Sequence, residues 1–411
     1  MNQACSLSNL AIGSLCALAV GATPGFAVQG ITLASSFTTI NGSIPFAALT
    51  PAGGEIYYGT TVSDAANNLG GVYKFKRTTG AITLLDSFDS ANGSVPFAAL
   101  TAAGGGLYYG TTYSGGASDL GGVFAFDSST GAITLEDSFT GLNGAYPYAA
   151  LTPAGGGLYY GTTYSGGSHD LGGVFAFDST TRAITLKDSF TGSNGGNSLA
   201  PLIEGGGSLY YGTVGHGGAN DIGGVFAFDS ATGTITLKAS FNGPDGAIPH
   251  AALTDAGGNV YYGTTRFGGA NGVGAVFAFN SGTGAITLAD SFNGSNGASP
   301  FAALTPAGGG LYYGTTNSGG AQNLGTVFGF NSSTGAITLE DSFRGSNGAK
   351  PLAGLTAGDG GLFYGTTVLG GAENIGAIYS FNPVPGPLPV MGAGAALGWS
   401  RRLRRRLRAR P

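Results

Sequence analysis

A period of 51 residues governs this chain. The glycine after an aromatic pair falls at Gly59, Gly110, Gly161, Gly212, Gly263, Gly314 and Gly365 without a slip. A fixed period of this length means one supersecondary unit copied seven times, and such units bury their apolar faces only against one another. Glycine supplies 80 of the 411 residues, a share that by itself suggests low complexity. The 25 Phe and 19 Tyr argue otherwise, because they recur at set places in each copy. Disordered chains lack such a supply of core side chains.

One copy, read from Tyr146, contains four runs rich in Tyr, Phe, Val, Ile and Thr, at 146–152, 158–163, 173–178 and 183–190. Clusters of Gly, Asn, Asp and Ser separate them, which is the pattern of strands joined by hairpins. No segment of the body carries a 3.6-residue apolar period, so no helix is expected there. Four antiparallel strands repeated seven times describe an all-β, seven-bladed β-propeller. Val174-Phe175-Ala176-Phe177 is apolar on both faces, as a strand covered by neighbours on both sides must be. The pairs Ala47-Ala48, Ala98-Ala99, Ala149-Ala150, Ala251-Ala252 and Ala302-Ala303 suit a crowded first strand near the axis. Residues 31–37 match the fourth strand and 376–381 the third, so the N-terminal strand should close the seventh blade. The first–second and third–fourth connections are short and share one face. The longer second–third and fourth–first connections share the other, where binding residues concentrate on a rigid scaffold.

Both ends differ from the body, giving segments 1–27, 28–382 and 383–411. The first has an uncharged apolar run at 10–20, too short for a membrane span, and small residues near Ala27; it reads as a signal peptide. Cys5 and Cys16, the only cysteines, both lie in it, so a processed protein has neither disulfides nor cysteine metal sites. The last segment runs from a Pro-rich linker through a short apolar stretch at 388–399 into an arginine cluster. Seven of the 16 basic residues fall in the final eleven positions; without them nine basic residues face 21 acidic ones, a net of −12. Such a body has no footprint for nucleic acid. The basic block behind an apolar stretch fits transient inner-membrane association.

The Leu-Tyr-Tyr-Gly-Thr-Thr, Gly-Gly-Val-Phe-Ala-Phe and Asp-Ser-Phe segments resemble the bacterial GloVer tandem repeat of choice-of-anchor exported proteins, over about 350 residues. In length and in its Tyr-then-Gly strand the unit is also similar to kelch repeats. The tail, with Pro385, Gly386 and Pro387 before Arg401, Arg402, Arg404, Arg405 and Arg406, resembles PEP-CTERM sorting signals. That resemblance implies recognition by an exosortase-type protease, a cell-surface or extracellular destination, and an association with extracellular polysaccharide. It implies no catalytic activity.

Residues with chemistry were sought where they break the repeat. Asp137, Asp188, Asp290 and Asp341 recur before Ser-Phe, and Asp127, Asp178 and Asp229 recur in a turn; both sets read as Asx-type turn bonding. The recurrent Asn-Gly pairs read the same way. Asp119, Asp170 and Asp221 share a Gly-rich loop with Asn in other copies; Ca²⁺ ligation is the alternative to a turn cap there. His169, His216 and His250 sit at different repeat positions, which argues against a shared metal. Paired carboxylates for sugar hydrolysis would need acids out of repeat register, and few exist, among them Asp64, Glu204, Asp245, Asp255, Asp359 and Glu373. One position after the second run varies in a constant background: Val62, Tyr113, Tyr164, Gly215, Arg266, Asn317, Val368. With the neighbouring His216, its Tyr113, Tyr164, Arg266 and Asn317 are the candidate ligand-binding residues. Stacking aromatics and one arginine suit an extracellular glycan. The expectation is a monomeric, non-enzymatic binding or structural propeller without cofactor, metal or catalytic residues; the rival is a carbohydrate-active enzyme on the same scaffold.

Overall fold

A computed structural model describes residues 30–64 and 66–383. The expected signal peptide and the sorting tail beyond Pro383, with Pro385, Gly386, Pro387 and the arginine cluster, lie outside the described residues. Seven antiparallel sheets make seven blades, six of them with their strands in chain order. The third is typical: an innermost strand Thr152–Gly155, then Leu158–Thr163, Gly173–Asp178 and an outermost strand Ala183–Ser189. The last blade takes its outermost strand, Gly30–Ser36, from the other end of the sequence, paired antiparallel with Ala377–Asn382. The ring is therefore closed as the matching ends required. Among the described residues there is no α-helix, only a three-residue 3₁₀ turn at Asp359–Gly361.

The first strand is shorter and later than the sequence suggested. Residues 146–151 approach the axis without forming a ladder, and pairing starts at Thr152. Two local facts explain this. Tyr146 adopts a left-handed backbone (φ 55), and Pro147 has no N–H to donate. The same left-handed residue recurs at Ile44, Val95, Asn197, Ile248, Ser299 and Lys350, with φ of 51 to 58. For β-branched Ile44, Val95 and Ile248 that conformation is strained. Hydrogen bonds hold it: the Tyr146 N–H donates to Leu120 of the preceding blade, and its carbonyl accepts from Tyr164 N–H of its own blade. In the sixth blade the segment tightens enough to form an extra strand, Ala298–Pro300, against Leu311–Ser318.

The hydrophobic core lies between blades. One cluster joins Tyr109, Val123 and Phe139 of the second blade to Leu151, Tyr159, Phe175 and Phe177 of the third, and equivalent clusters recur around the ring. Gly161 faces Phe175 across the second and third strands, and a β-carbon there would lie 2.4 Å from the ring's ζ-carbon. The invariable glycine after the aromatic pair is thus the seat of a core phenyl ring.

Side chains staple each blade to the next. The first Thr after that glycine donates to an Ala carbonyl 38 residues on, at 2.9–3.2 Å in six interfaces, and Thr366 donates to Ala47 in the seventh. Asp86, Asp137, Asp188, Asp290 and Asp341 also cross. In each, Oδ1 accepts from the following Ser N–H, while Oδ2 accepts from an Ile N–H of the neighbouring outermost strand at 2.7–2.8 Å. The turn reading of Asp137, Asp188, Asp290 and Asp341 is thereby corrected: they join blades.

Candidate functional site

The approach segments at 146–151 and their six equivalents line the axis. Within each, burial alternates so that Pro (Ser198 in the fourth blade), the following Ala and the Leu point into the blades, while the residues between them face inward. The inward set forms a ring: Phe46, Phe97, Tyr148, Leu199, His250, Phe301 and Leu352. It walls an axial cavity of about 700 Å³, floored by the alanines and rimmed by second–third loops. The expected small side chains near the axis are there, on the approach segment instead of a strand.

The wall is uneven. On one side Phe97 stacks on Tyr148 (4.8 Å between centroids), Tyr113 packs on Tyr146 and Tyr148, and Tyr164 lies 5.8 Å from Tyr148. Burial, with help from Tyr113, pushes the Tyr148 phenol up to about 12, so it stays a neutral hydrogen-bonding group. Farther round the ring, on the fourth and fifth blades, stand His216, His250 and Arg266. The Arg266 guanidinium carbon sits 4.7 Å from the Phe267 centroid and 4.8 Å from that of Phe301, close enough for cation–π attraction. Its Nε is buried without a hydrogen-bond partner, and it joins no ion pair among the described residues. His250 packs edge-on to Phe301 at 4.9 Å. Burial, reinforced by Arg266 and His216, lowers its pKa to about 4, leaving it uncharged at neutral pH. Arg266 is the only Lys, Arg, Asp or Glu in the described wall.

Of the candidate residues, Tyr164, His216 and Arg266 meet in this cavity. Tyr113 sits one layer back, supporting Tyr148. Asn317 does not join them; the strand Leu311–Ser318, extended by its extra partner, holds it away. Sequence reasoning missed the ring from Phe46 to Leu352. Its signal was present, since that position varies among Phe, Tyr, Leu and His between constant neighbours. Reading the segment as a paired strand concealed it.

Most of the remaining candidates have structural duties. Asp119, Asp170 and Asp221 are left-handed (φ 55–56) and accept the N–H of Gly115, Gly166 and Gly217. Asn323 and Asn374 make the same bond, so charge is not required at this position. Asp245 caps the turn that Asn-Gly pairs cap elsewhere, by accepting from Asn242 N–H. Asp64 accepts from Asn67 and Asn68, Glu373 from Thr39, and Asp359 pairs with Arg77. Glu204 and Asp255 share a shallow crease on the opposite face, between the fourth and fifth blades. No cluster of three or more metal-ligating His, Cys, Asp or Glu occurs among the described residues.

Fold and pocket together define a seven-bladed propeller with an axial cavity. The chain belongs to the Gloeobacter/Verrucomicrobia repeat family, whose profile matches in four overlapping stretches, 23–159, 109–261, 157–312 and 210–391. A search of curated proteins finds no match. Among solved structures, the extracellular domain of a hybrid two-component system from B. thetaiotaomicron is similar at TM-score 0.59 and 10% identity, over 89% of this chain and 41% of that one. A GH74 xyloglucanase from Xanthomonas campestris is similar at 0.54 and 13%, over 85% and 55%. An oligogalacturonate lyase in complex with manganese is similar at 0.51 and 11%, over 80% and 85%. This chain thus spans about two fifths of the first and about half of the second. At these identities the likeness is one of fold.

Proposed function

We propose that this protein is a non-enzymatic carbohydrate-binding propeller whose axial cavity is the binding site. The arc of Phe97, Tyr148 and Tyr164 carries the reading: aromatic faces stack on the C–H faces of pyranose rings, while phenols and imidazoles serve their hydroxyls. Among the described residues the wall offers no carboxylate for acid–base or nucleophilic attack on a glycosidic bond. Propellers of similar fold include a xyloglucanase and an oligogalacturonate lyase, which is in keeping with a saccharide ligand. The test is a glycan array probed with the purified chain. Retention of at least one glycan class should fall on Tyr148→Ala and on Tyr164→Ala; retention unchanged in both variants overturns the reading.

The same proposal places the protein at the cell surface or outside the cell as a monomer, exported through the inner membrane and released or anchored by an exosortase-type protease at Pro385–Pro387. Mass spectrometry of the surface-exposed protein should find a start near residue 28 and no arginine cluster. A full-length protein retained in the cytoplasm contradicts this. An enzymatic reading has one observation in its favour, the presence of both Glu204 and Asp255 along the opposite crease. Cleavage of a polysaccharide that is lost on Glu204→Gln would establish it.

A further inference from the structure

The carbohydrate reading leaves the charge of the ligand open, and Arg266 bears on it. A guanidinium held in a largely apolar cavity has given up part of its hydration, which costs free energy unless an anion or a full set of acceptors replaces the water. Here neither is present. The described wall has no carboxylate, Arg266 forms no ion pair among the described residues, and its Nε is buried without a partner. The sequence could have supplied an acid, since the body outside the tail carries 21 acidic residues against nine basic ones. All of them lie away from this wall. The side chain is also fixed in advance. Phe267 and Phe301 flank the guanidinium, with their ring centroids 4.7 and 4.8 Å from its carbon. A charge so clamped loses little freedom on meeting its partner.

The space beside it is equally specific. Between Tyr164 and Arg266 in the ring order stands Gly215, where other blades carry Val62, Tyr113, Asn317 or Val368. A β-carbon at Gly215 would find only the Asn197 carbonyl at 3.5 Å and Ile248 at 3.8 Å. The backbone there has no need of glycine, because its φ is not in the left-handed region. The missing side chain leaves a gap one residue wide between a stacking platform and a cation.

We propose that the cavity selects anionic saccharides, with a pyranose ring lying over Gly215 against Tyr164 and its carboxylate or sulfate on the Arg266 guanidinium. This rests on the carbohydrate reading above and adds a ligand class to it. Planar two-point pairing with the guanidinium favours the carboxylate, so a uronic acid is the first choice.

The experiment measures affinities for three tetrasaccharides at low salt: a uronic acid oligomer, its carboxyl-reduced neutral counterpart, and a sulfated form of that counterpart. The wild-type chain should prefer an anionic oligomer to the neutral one by about tenfold or more, the worth of one charge-assisted hydrogen-bond pair. Tighter binding of the uronate identifies carboxylate as the group, and tighter binding of the sulfated oligomer identifies sulfate. Arg266→Asn, which installs the residue found at Asn317, should bring that ratio within about twofold. Arg182→Gly removes a cation from a distant turn where other blades carry Gly, and should leave the ratio intact, separating a local effect from one of net charge. Gly215→Val, the side chain tolerated at Val62 and Val368, should abolish binding of all three oligomers while the thermal midpoint holds. Equal binding of charged and neutral oligomers, or a ratio that survives Arg266→Asn, overturns the anion inference and leaves the carbohydrate reading standing. Absence of binding to any of the three and to every glycan of the array removes both.

Discussion

Adjacent residues of one motif carry opposite energetic signs. In the second blade the Thr111 hydroxyl donates to the Ala149 carbonyl across a buried blade interface, whereas the Thr112 hydroxyl is buried with no partner. Thr111→Val should cost about 1–2 kcal/mol by leaving that carbonyl unsatisfied. Thr112→Val should be neutral or stabilising, and Val214 already stands at its place in the fourth blade. Urea midpoints of the two variants check this; equal losses would contradict the hydrogen-bond assignment. His250 supplies a pH dependence. Its folded pKa is about 4, while an unfolded histidine titrates near ~6.5. Between these values the unfolded chain binds a proton that the folded chain refuses, so stability falls as pH drops through that window and levels off below it. The loss is at most about 3 kcal/mol. His250→Phe, matching Phe301, should flatten that part of the curve; a variant with the wild-type slope between pH 6.5 and 4.5 would place the titration elsewhere. None of this pairing could be read from the sequence, because Thr111 and Thr112 are identical there and only the neighbouring blade tells them apart.

At the scale of the strand, much was legible and the failure is instructive. The second, third and outermost strands of the third blade stand within a residue or so of the runs of Tyr, Phe, Val, Ile and Thr. The innermost strand did not follow its run, because Tyr146 at positive φ and Pro147 take residues 146–151 out of the ladder. Composition sees an apolar, aromatic segment in either case; what decides is whether its carbonyls meet a strand or the threonine hydroxyls of the preceding blade. That substitution also hid the aromatic ring of the cavity, while Tyr164, His216 and Arg266 remained visible as breaks in the repeat. The inter-blade carboxylate is absent at two interfaces, where Ser35 and Ala239 occupy its position. Ala239→Asp should let Oδ2 reach the Ile286 N–H and raise stability by about 1 kcal/mol, as filling a repeat consensus commonly does. A lowered denaturation midpoint would show that this interface excludes the carboxylate.

For the whole molecule, the constant period and the complementary ends dictated a closed ring, since an open one leaves two long sheet edges exposed. Closure rests on Gly30–Ser36 zipped onto Ala377–Asn382, on Asp341 Oδ2 accepting the Ile31 N–H at 2.8 Å, and on Phe37 buried beside Tyr73 at 5.0 Å. Asp341→Ala should therefore speed hydrogen exchange in the last blade before the others. Uniform exchange across all blades would deny the closing strand its special role. The ring is also what creates the cavity, as each blade contributes one inward residue and none can form a pocket alone. The central claim is that a saccharide occupies that axial space. A crystal structure of the chain with a uronic acid oligomer tests it most directly: the account predicts a sugar over Gly215 between Tyr164 and Arg266, and a sugar found in the Glu204–Asp255 crease, with the axial cavity empty, would contradict it.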